Sequence, residues 1–295
     1  MSSTGLTQRS GSMQITRIER QQKNKARYSI YLDDTFWLGV DETVLMRFAL
    51  HKGQEITSDQ QTAIKEAEAR AKVFTQALNY LSYGLRSSQE MADYLAKQRV
   101  QNPQDPDGKD IPIQTKVIHE VLGKLTDLGY LNDLVYAQSY VRTAANINRK
   151  GPIVIERELN LKGVPNADIL TAMDEYSDSM LQENLTELGR KYIKRKQKLP
   201  PKRLKQQLQA YLLTKGYPQE DVAEVVAHLD MSASQDQETV SLDREALKQV
   251  KRRQRKYSGY ELKQRVSQSL FQKGFAYDLI QDWLTAHEEL FEHED

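Results

Sequence analysis

The chain contains no cysteine, and its five histidines are scattered along 295 residues. Without cysteine there are no disulfide bonds, thiolate metal sites or cysteine nucleophiles, and this composition is typical of a reducing cytosol. No two histidines stand at the i, i+4 spacing of a zinc-binding helix, and no glycine-rich phosphate loop precedes a predicted helix. The sequence therefore points to no catalytic residue, no metal and no cofactor, and we predict that the protein is not an enzyme.

Long hydrophobic runs are also missing. No stretch approaches the roughly 20 apolar residues of a membrane span, and residues 1–12 lack the apolar core of a secretory signal. Hydrophobic residues make up 39% of the chain and charged residues 28%, a balance typical of a globular protein. We expect a cytoplasmic protein without membrane contact, and we expect residues 1–12 (MSSTGLTQRSGS) to form a disordered leader.

The net charge of +1 hides a strong segregation of charge along the chain. Between Asn184 and Gly216 there are ten Lys or Arg residues and one acid, and between Arg244 and Arg265 nine basic residues and two acids. The last twenty residues carry seven acids and no Lys or Arg. Alternating blocks of opposite charge indicate polarised surfaces and give information on partners rather than on fold.

The first part of the chain has the pattern of β-strands. Residues 14–20 and 27–32 are rich in β-branched and aromatic side chains, with a polar turn between them. Asp33-Asp34 forms a second turn before residues 36–38. Aromatic and β-branched runs bounded by turn residues favour a small antiparallel sheet. We place this β-rich module at residues 13–57.

From about Ser58 the apolar residues follow helical spacing. One stripe recurs at intervals of three and four: Ala63, Ala67, Ala71, Phe74, Leu78 and Leu81. Ser87 followed by Glu90 has the form of a capping box, in which a hydroxyl and a glutamate satisfy the first amides of a helix. Residues 101–113 are dense in Pro, Asp and Gly and predict a loop.

An internal repeat is the most informative pattern in the sequence. When the chain is aligned on Gly163, Gly216 and Gly274, lysine precedes each glycine and five apolar columns recur around it. The columns are Ile155, Leu208 and Val266; Leu159, Leu212 and Leu270; Val164, Tyr217 and Phe275; Ile169, Val222 and Ile280; and Met173, Val226 and Leu284. The spacing describes two amphipathic helices joined by a turn, with glycine as the left-handed C-cap.

Each helix pair is preceded by a further helical stretch, at 133–149, 181–198 and 242–257. A diverged fourth copy lies upstream, with Met91 and Leu95 in the apolar columns and Arg99 in the glycine place. We therefore predict a mainly α fold of four three-helix units, at 58–131, 132–178, 179–231 and 232–295. Repeats of this length usually stack into elongated curved arrays. The alternative is an irregular helical domain with chance similarity.

Two segments resemble the RecX family. The first runs from Leu125 to Asp133 (LTDLGYLND), followed by Tyr136 and Ala137, and the second comprises Gly151-Pro152 and Lys162-Gly163-Val164. Residues 77–91 are similar to the opening helix pair of the family. This chain has Asn132 where the family often has aspartate, but Asp133 can still cap the next helix. Physically these residues have architectural roles: Gly129 ends a helix, Tyr130 and Leu131 turn inward, and Pro152 begins a helix.

The resemblance implies a regulator that binds the RecA–DNA filament and modulates its recombinase, ATPase and co-protease activities. We expect that it inhibits them. The resemblance thereby implies a place in homologous recombination, DNA repair and the SOS response. We expect a monomer, with single- or double-stranded DNA as a further partner. Two alternatives stay open: a sequence-independent nucleic-acid-binding protein, and a helical-repeat scaffold for another protein.

Basic helices are the candidate contact surface. We predict one helix from Arg190 to Lys205, in which Arg190, Lys194 and Lys198 stack at intervals of four. Like charges at this spacing repel by about 0.2–0.5 kcal/mol per pair, so an acidic partner would relieve them. The alternatives are a solvated face, or one neutralised by acidic helices of the array. The candidate residues are Arg190, Lys191, Lys194, Arg195, Lys198, Lys202, Arg203, Lys251, Arg252, Arg255 and Lys256.

The third helices of the units do not suit a DNA groove. A helix-turn-helix protein would place such a helix against phosphates, but these helices are acidic, with Asp168, Glu220 and Asp278 among their residues. Acidic side chains would face a dense line of negative charge. We therefore expect no groove reading by these helices.

Overall fold

The structure is a computed structural model that describes residues 12–102 and 109–292. Residues 1–11, and with them most of the expected leader, lie outside this part. The chain forms two compact units. The N-terminal unit extends to Tyr136 and includes Lys162–Val164, and the C-terminal unit comprises Ala137–Leu161 and the residues from Pro165 onward.

An antiparallel sheet begins the N-terminal unit, as the sequence predicts. Its strands are β1 (Met13–Arg20), β2 (Arg27–Leu32), β3 (Thr35–Asp41) and β4 (Glu55–Ile56), in the order β3-β2-β1-β4. Asp33 and Asp34 turn the chain between β2 and β3 with positive φ angles of 46° and 64°, as a tight hairpin requires. The short helix α1 (Glu42–Arg47) and the two-residue β4 have too few residues to show a periodicity.

The core of the sheet continues into the first helix of the helical region, α2 (Ser58–Leu81). Ile15, Ile30 and Val40 are fully buried in one cluster with Ile64 of α2. Glu68 is 1% exposed, and its carboxylate lies 2.6 Å from the Arg27 guanidinium and accepts the amide of Asp41 at 2.7 Å. The sheet and the first half of α2 therefore share apolar and ionic contacts beyond residue 57.

Two further helices, α3 (Ser88–Ala96) and α4 (Thr115–Asp127), pack on the second half of α2. The predicted stripe of α2 is partly wrong, because Ala63 is exposed and the most buried residues are Ile64, Val73 and Ala77. These lie on different sides of the helix because α2 contacts the sheet with one half and helices with the other. The capping box of Ser87 and Glu90 is confirmed.

The predicted 101–113 loop is partly a β-hairpin. Strand β5 (Arg99–Val100) pairs with β6 (Ile111–Pro112) in antiparallel register. Residues 103–108 lie outside the described part. Arg99 therefore starts a strand where the other copies have a glycine turn.

The remaining helices follow in triplets, which confirms the predicted mainly α fold. They are α5 (Asp133–Asn146), α6 (Pro152–Leu161), α7 (Asn166–Met173), α8 (Asp178–Lys196), α9 (Pro201–Thr214), α10 (Gln219–His228), the short α11 (Ser232–Asp236), α12 (Glu238–Arg253), α13 (Gly259–Gln272) and α14 (Tyr277–Ala286). All residues of the five repeat columns are buried except the partly buried Met173. Gly163, Gly216 and Gly274 have φ angles of 70°, 89° and 93°, the left-handed conformation of a helix C-cap.

In the C-terminal unit the glycine turn of one repeat covers the start of the middle helix in the preceding repeat. The amide of Gly151 donates to the Lys215 carbonyl at 2.7 Å, and the amide of Ile153 donates to Gly216 at 3.1 Å. A Cβ atom on Gly151 would lie 2.3 Å from the Gly216 backbone. Glycine is thus required at residue 151 for this close approach.

A related contact in the N-terminal unit uses side chains. The Ser87 hydroxyl donates to the Lys162 carbonyl at 2.6 Å, and the Lys162 ammonium lies 2.7 Å from the Glu90 carboxylate. Burial alone would raise the pKa of Glu90, but the hydrogen bonds from Lys162 and from the Ser87 amide outweigh it and lower this pKa. The capping box of α3 is therefore also an ion-pair site.

The segment between α4 and α5 follows the expected architecture with one exception. Gly129 has a φ of 75° after α4, and Leu131 is buried, but Tyr130 is 54% exposed, so the prediction that Tyr130 turns inward is wrong. Asn132 caps α5 through the Val135 amide at 3.0 Å. Asp133 instead accepts the amide of Ser88 at 2.7 Å.

Candidate functional site

The first group of candidate residues lies on the end of α8, on the following turn and on the first turn of α9. The prediction of one continuous basic helix from Arg190 to Lys205 is wrong, because α8 ends at Lys196 and α9 begins at Pro201. Pro200 and Pro201 have no amide hydrogen for a helical bond, which ends the helix. Lys198 therefore lies in the turn and does not extend the row of Arg190 and Lys194.

Apolar packing fixes which side of α8 faces outward. Leu185, Tyr192 and Ile193 are buried against α9 and α10. Gly189 lies on the same side, where a Cβ atom would come within 2.4 Å of Leu229. Because α9 and α10 cover this side of α8, the side chains on the opposite side are exposed: Arg190, Lys191, Lys194 and Arg195. Their position near the C-terminal end of α8 also suits the negative pole of the helix.

The second group lies at the equivalent place one repeat later. Lys251 and Arg252 occupy the last turn of α12, and Arg255 and Lys256 lie in the turn that follows. All four are exposed, like Lys198, Lys202 and Arg203 of the first group. The structure thus places every candidate side chain at the surface of the C-terminal unit. We call these eleven residues the basic surface.

Little of the basic surface is neutralised within the chain. In the described residues, Lys191 is the one member that has a carboxylate within 4.0 Å, the 2.6 Å pair with Glu187 of its own helix. This contact lowers the pKa of Glu187. The acidic side chains of α10 do not approach the others to that distance; Asp221, for example, accepts a hydrogen bond from Gln182.

An aromatic ring that the sequence pattern did not single out borders the basic surface. Phe271 of α13 is 53% exposed, and the Lys202 ammonium lies 5.5 Å from its ring centroid. Arg203 lies beside the glycine turn at Gly274, where a Cβ would come within 3.0 Å of it. In the sequence Phe271 directly follows Leu270, which belongs to a buried column of the repeat. Its place next to a buried helix position is the sequence signal that its ring faces outward.

Residues 12–102 and 109–292 hold no group of three His, Asp or Glu side chains placed to bind a metal ion. Over the same ranges no helix is long and apolar enough to span a bilayer.

The fold and its surface define a class of protein in which a small antiparallel sheet is followed in the chain by three-helix repeats that carry exposed cations. Three domain descriptions match this chain. "Regulatory protein RecX N-terminal domain" covers residues 13–57, "RecX, second three-helix domain" covers 132–173, and "RecX, third three-helix domain" covers 178–226 and again 243–284. The last description therefore matches both of the final repeats.

Known relatives are similar over nearly the whole chain. The "Regulatory protein RecX" of Listeria monocytogenes serotype 4b is 38% identical over 96% of this chain and all of its own. The protein of the same name from Limosilactobacillus reuteri is 35% identical over 93% of this chain and 98% of its own. A solved structure described as "Crystal structure of regulatory protein RecX" has a TM-score of 0.62 and 32% identity, over 72% of this chain and 98% of that one. The chain belongs to the RecX family.

Proposed function

We propose that the protein is a regulator that binds the RecA–DNA filament in the cytoplasm and inhibits its recombinase, ATPase and co-protease activities. The observation that carries the proposal is the basic surface, in which eleven cations are exposed and, in the described ranges, only Lys191 has an acidic partner. A filament of protein and DNA offers phosphates and carboxylates to such a surface. Membership of a family whose relatives are named as regulatory proteins supports the same function.

The mechanism that we propose is steric and electrostatic. The repeats would lie along the filament, with the basic surface toward negative charge, and contact more than one RecA protomer. A ligand shifts an equilibrium between two states only by its difference in affinity for them. Inhibition therefore requires that the protein bind the less active filament state more tightly.

Co-sedimentation tests the proposal. We expect the full-length protein to pellet with filaments assembled from RecA, single-stranded DNA and a slowly hydrolysed ATP analogue, and to lower the ATPase rate of filaments with ATP. The same DNA without RecA should retain much less protein at physiological salt. Failure to pellet with filaments would overturn the proposal.

A second function has support from the same surface. A sequence-independent nucleic-acid-binding protein would also need exposed, unpaired cations, and it would bind bare DNA as tightly as the filament. The affinity for bare DNA relative to the filament distinguishes the two, because contacts to phosphates weaken with salt in both cases. Equal affinity for bare DNA and filament would favour this second function.

A further inference from the structure

The outer face of the N-terminal sheet carries one cation and two aromatic rings in a row across three strands. Arg17 of β1 is paired with Tyr31 of β2, and Tyr31 is paired with Phe36 of β3. The Arg17 guanidinium carbon lies 3.8 Å from the centroid of the Tyr31 ring. The Tyr31 and Phe36 rings meet edge to face with centroids 5.8 Å apart.

This row takes no part in the apolar core. Ile30 and Leu32 flank Tyr31 in β2 and are buried, so alternation along the strand directs Tyr31 to the opposite side. Phe36 is 57% exposed. More than half of the Phe36 ring is therefore an apolar surface that faces solvent.

Hydrogen bonds hold the cation of the row in place. A guanidinium nitrogen of Arg17 lies 3.1 Å from the Glu19 carboxylate, whose other oxygen accepts the Tyr31 hydroxyl at 3.2 Å. Glu19 thereby fixes the Arg17 guanidinium over the Tyr31 ring, and Arg17 offsets the negative charge of Glu19. Guanidinium groups and aromatic rings are the two surfaces on which unpaired bases stack.

The charge of the hairpin between β1 and β2 also suits a nucleic acid with unpaired bases. Residues 17–27 contain five basic residues and one acid. Arg27 is engaged with the buried Glu68, whereas Lys23 and Lys25 are exposed in the turn and, in the described ranges, have no carboxylate within 4.0 Å. Asp33 and Asp34 lie at the other end of the strands, near Phe36. This polarity suits a chain whose phosphates lie at the hairpin and whose bases lie along the row.

We propose that the outer face of the N-terminal sheet binds single-stranded nucleic acid, with bases stacked on Phe36 and Arg17 and phosphates at Lys23 and Lys25. Stacking on Phe36 requires an unpaired base, so a duplex is a poor ligand for this face. The contact uses no residue of the basic surface and does not depend on binding to a filament.

Photo-cross-linking locates the contact in the full-length protein. Oligothymidylate containing 5-iodouracil is bound and irradiated, and the cross-linked tryptic peptides are identified by mass spectrometry. Residues 28–47 contain no Lys or Arg before Arg47, so Tyr31 and Phe36 lie in one peptide. We expect a cross-link in this peptide that is reduced in Phe36→Ala. Cross-links confined to peptides of the C-terminal unit would overturn the proposal.

Affinity measurements separate stacking from charge. They use a full-length background in which Lys191, Lys194, Arg195 and Lys198 are changed to Glu, which removes those cations of the C-terminal unit. Phe36→Ala should weaken oligothymidylate binding by at least about fivefold, without changing the salt slope or duplex binding. Lys23→Glu with Lys25→Glu should reduce the salt slope by about 1.4, at roughly 0.7 per phosphate contact.

Tyr83→Ala is the matched control, because Tyr83 is 82% exposed and lies after α2, away from the sheet. It should bind oligothymidylate like the parent protein. An unchanged affinity in Phe36→Ala, or an equal loss for single strand and duplex, would contradict the stacking contact.

Discussion

The amide of Gly151 donates a hydrogen bond of 2.7 Å to the carbonyl of Lys215, 64 residues later in the chain. The bond places the start of α6 directly against the glycine turn between α9 and α10. Tyr217 reinforces the contact, since its buried hydroxyl donates to the Arg149 carbonyl at 3.0 Å. Backbone-to-backbone contact of this kind depends on the absence of side chains and leaves little freedom for substitution.

Gly151→Ala should therefore destabilise the C-terminal unit. The added methyl group would lie 2.3 Å from the Gly216 backbone, and overpacking of this kind costs about 1–3 kcal/mol. Urea unfolding is followed by circular dichroism, which reports on both units, and by the fluorescence of Trp283 in a Trp37→Phe background, which reports on the C-terminal unit alone. Gly123→Ala is the control: its Cβ meets nothing within 4 Å, and alanine in a helix should stabilise by about 0.5–1 kcal/mol. Equal effects of the two substitutions would contradict the close approach.

The ion pair of Glu90 and Lys162 should make the N-terminal unit sensitive to acid. The pKa of Glu90 is lowered in the folded protein, so its contribution is present above the unfolded pKa of about 4.3 and is lost as the pH falls through the folded pKa. Glu90→Gln should cost about 1–2 kcal/mol at pH 7 and flatten the stability profile at acid pH.

Lys162→Gln provides the partner measurement in a double-mutant cycle. If the two side chains interact as the 2.7 Å distance indicates, the double variant should be more stable than the sum of the single losses predicts, by about 0.5–3 kcal/mol. Strict additivity together with an unchanged pH profile would show that the pair contributes nothing.

Glu68 should be the most sensitive acid of the N-terminal unit. Its carboxylate is buried between Arg27 and the Asp41 amide, and removing one partner of a buried pair costs about 3–5 kcal/mol. Glu68→Ala should therefore increase hydrogen exchange in both the sheet and the first half of α2. Glu66→Gln, on the same helix but half-exposed and in a loose 3.7 Å pair with Arg70, should change stability by no more than about 0.5 kcal/mol. If Glu68→Ala increased hydrogen exchange in the sheet alone, the shared core of the sheet and α2 would be contradicted.

The repeat was predictable from the sequence because its signals are local. A glycine C-cap and apolar residues four apart depend on a single helix pair, so Leu159, Leu212 and Leu270 could be identified as core without a structure. Exposure of the candidate lysines and arginines followed from the same spacing. The capping box at Ser87 was predictable for the same reason.

Contacts between distant segments were not predictable. Nothing near Gly151 or Gly189 in sequence indicates that Gly216 or Leu229 approaches them, and the row of Arg17, Tyr31 and Phe36 depends on strand register. The break at residues 197–200 has a local signal in Pro200-Pro201, whereas the regular spacing of positive charge across it favours a continuous helix. The strands β4 and β5 have two residues each, too few for a pattern.

Charge reversal on the first group of the basic surface tests the proposed function. The variant carries Glu in place of Lys191, Lys194, Arg195 and Lys198. These side chains are exposed, so each change should move stability by no more than about 0.5 kcal/mol, and circular dichroism should remain that of the parent. A matched control changes four exposed lysines of the N-terminal unit to Glu: Lys52, Lys97, Lys109 and Lys116.

The most direct measurement is the affinity of these two variants and the parent for RecA filaments on single-stranded DNA, by co-sedimentation at several salt concentrations. We predict that the first variant binds filaments at least about tenfold more weakly, with a shallower salt slope because fewer counterions are released. The control variant should bind like the parent. Parent-like filament binding by the first variant, at an unchanged salt slope, would contradict the basic surface as the contact.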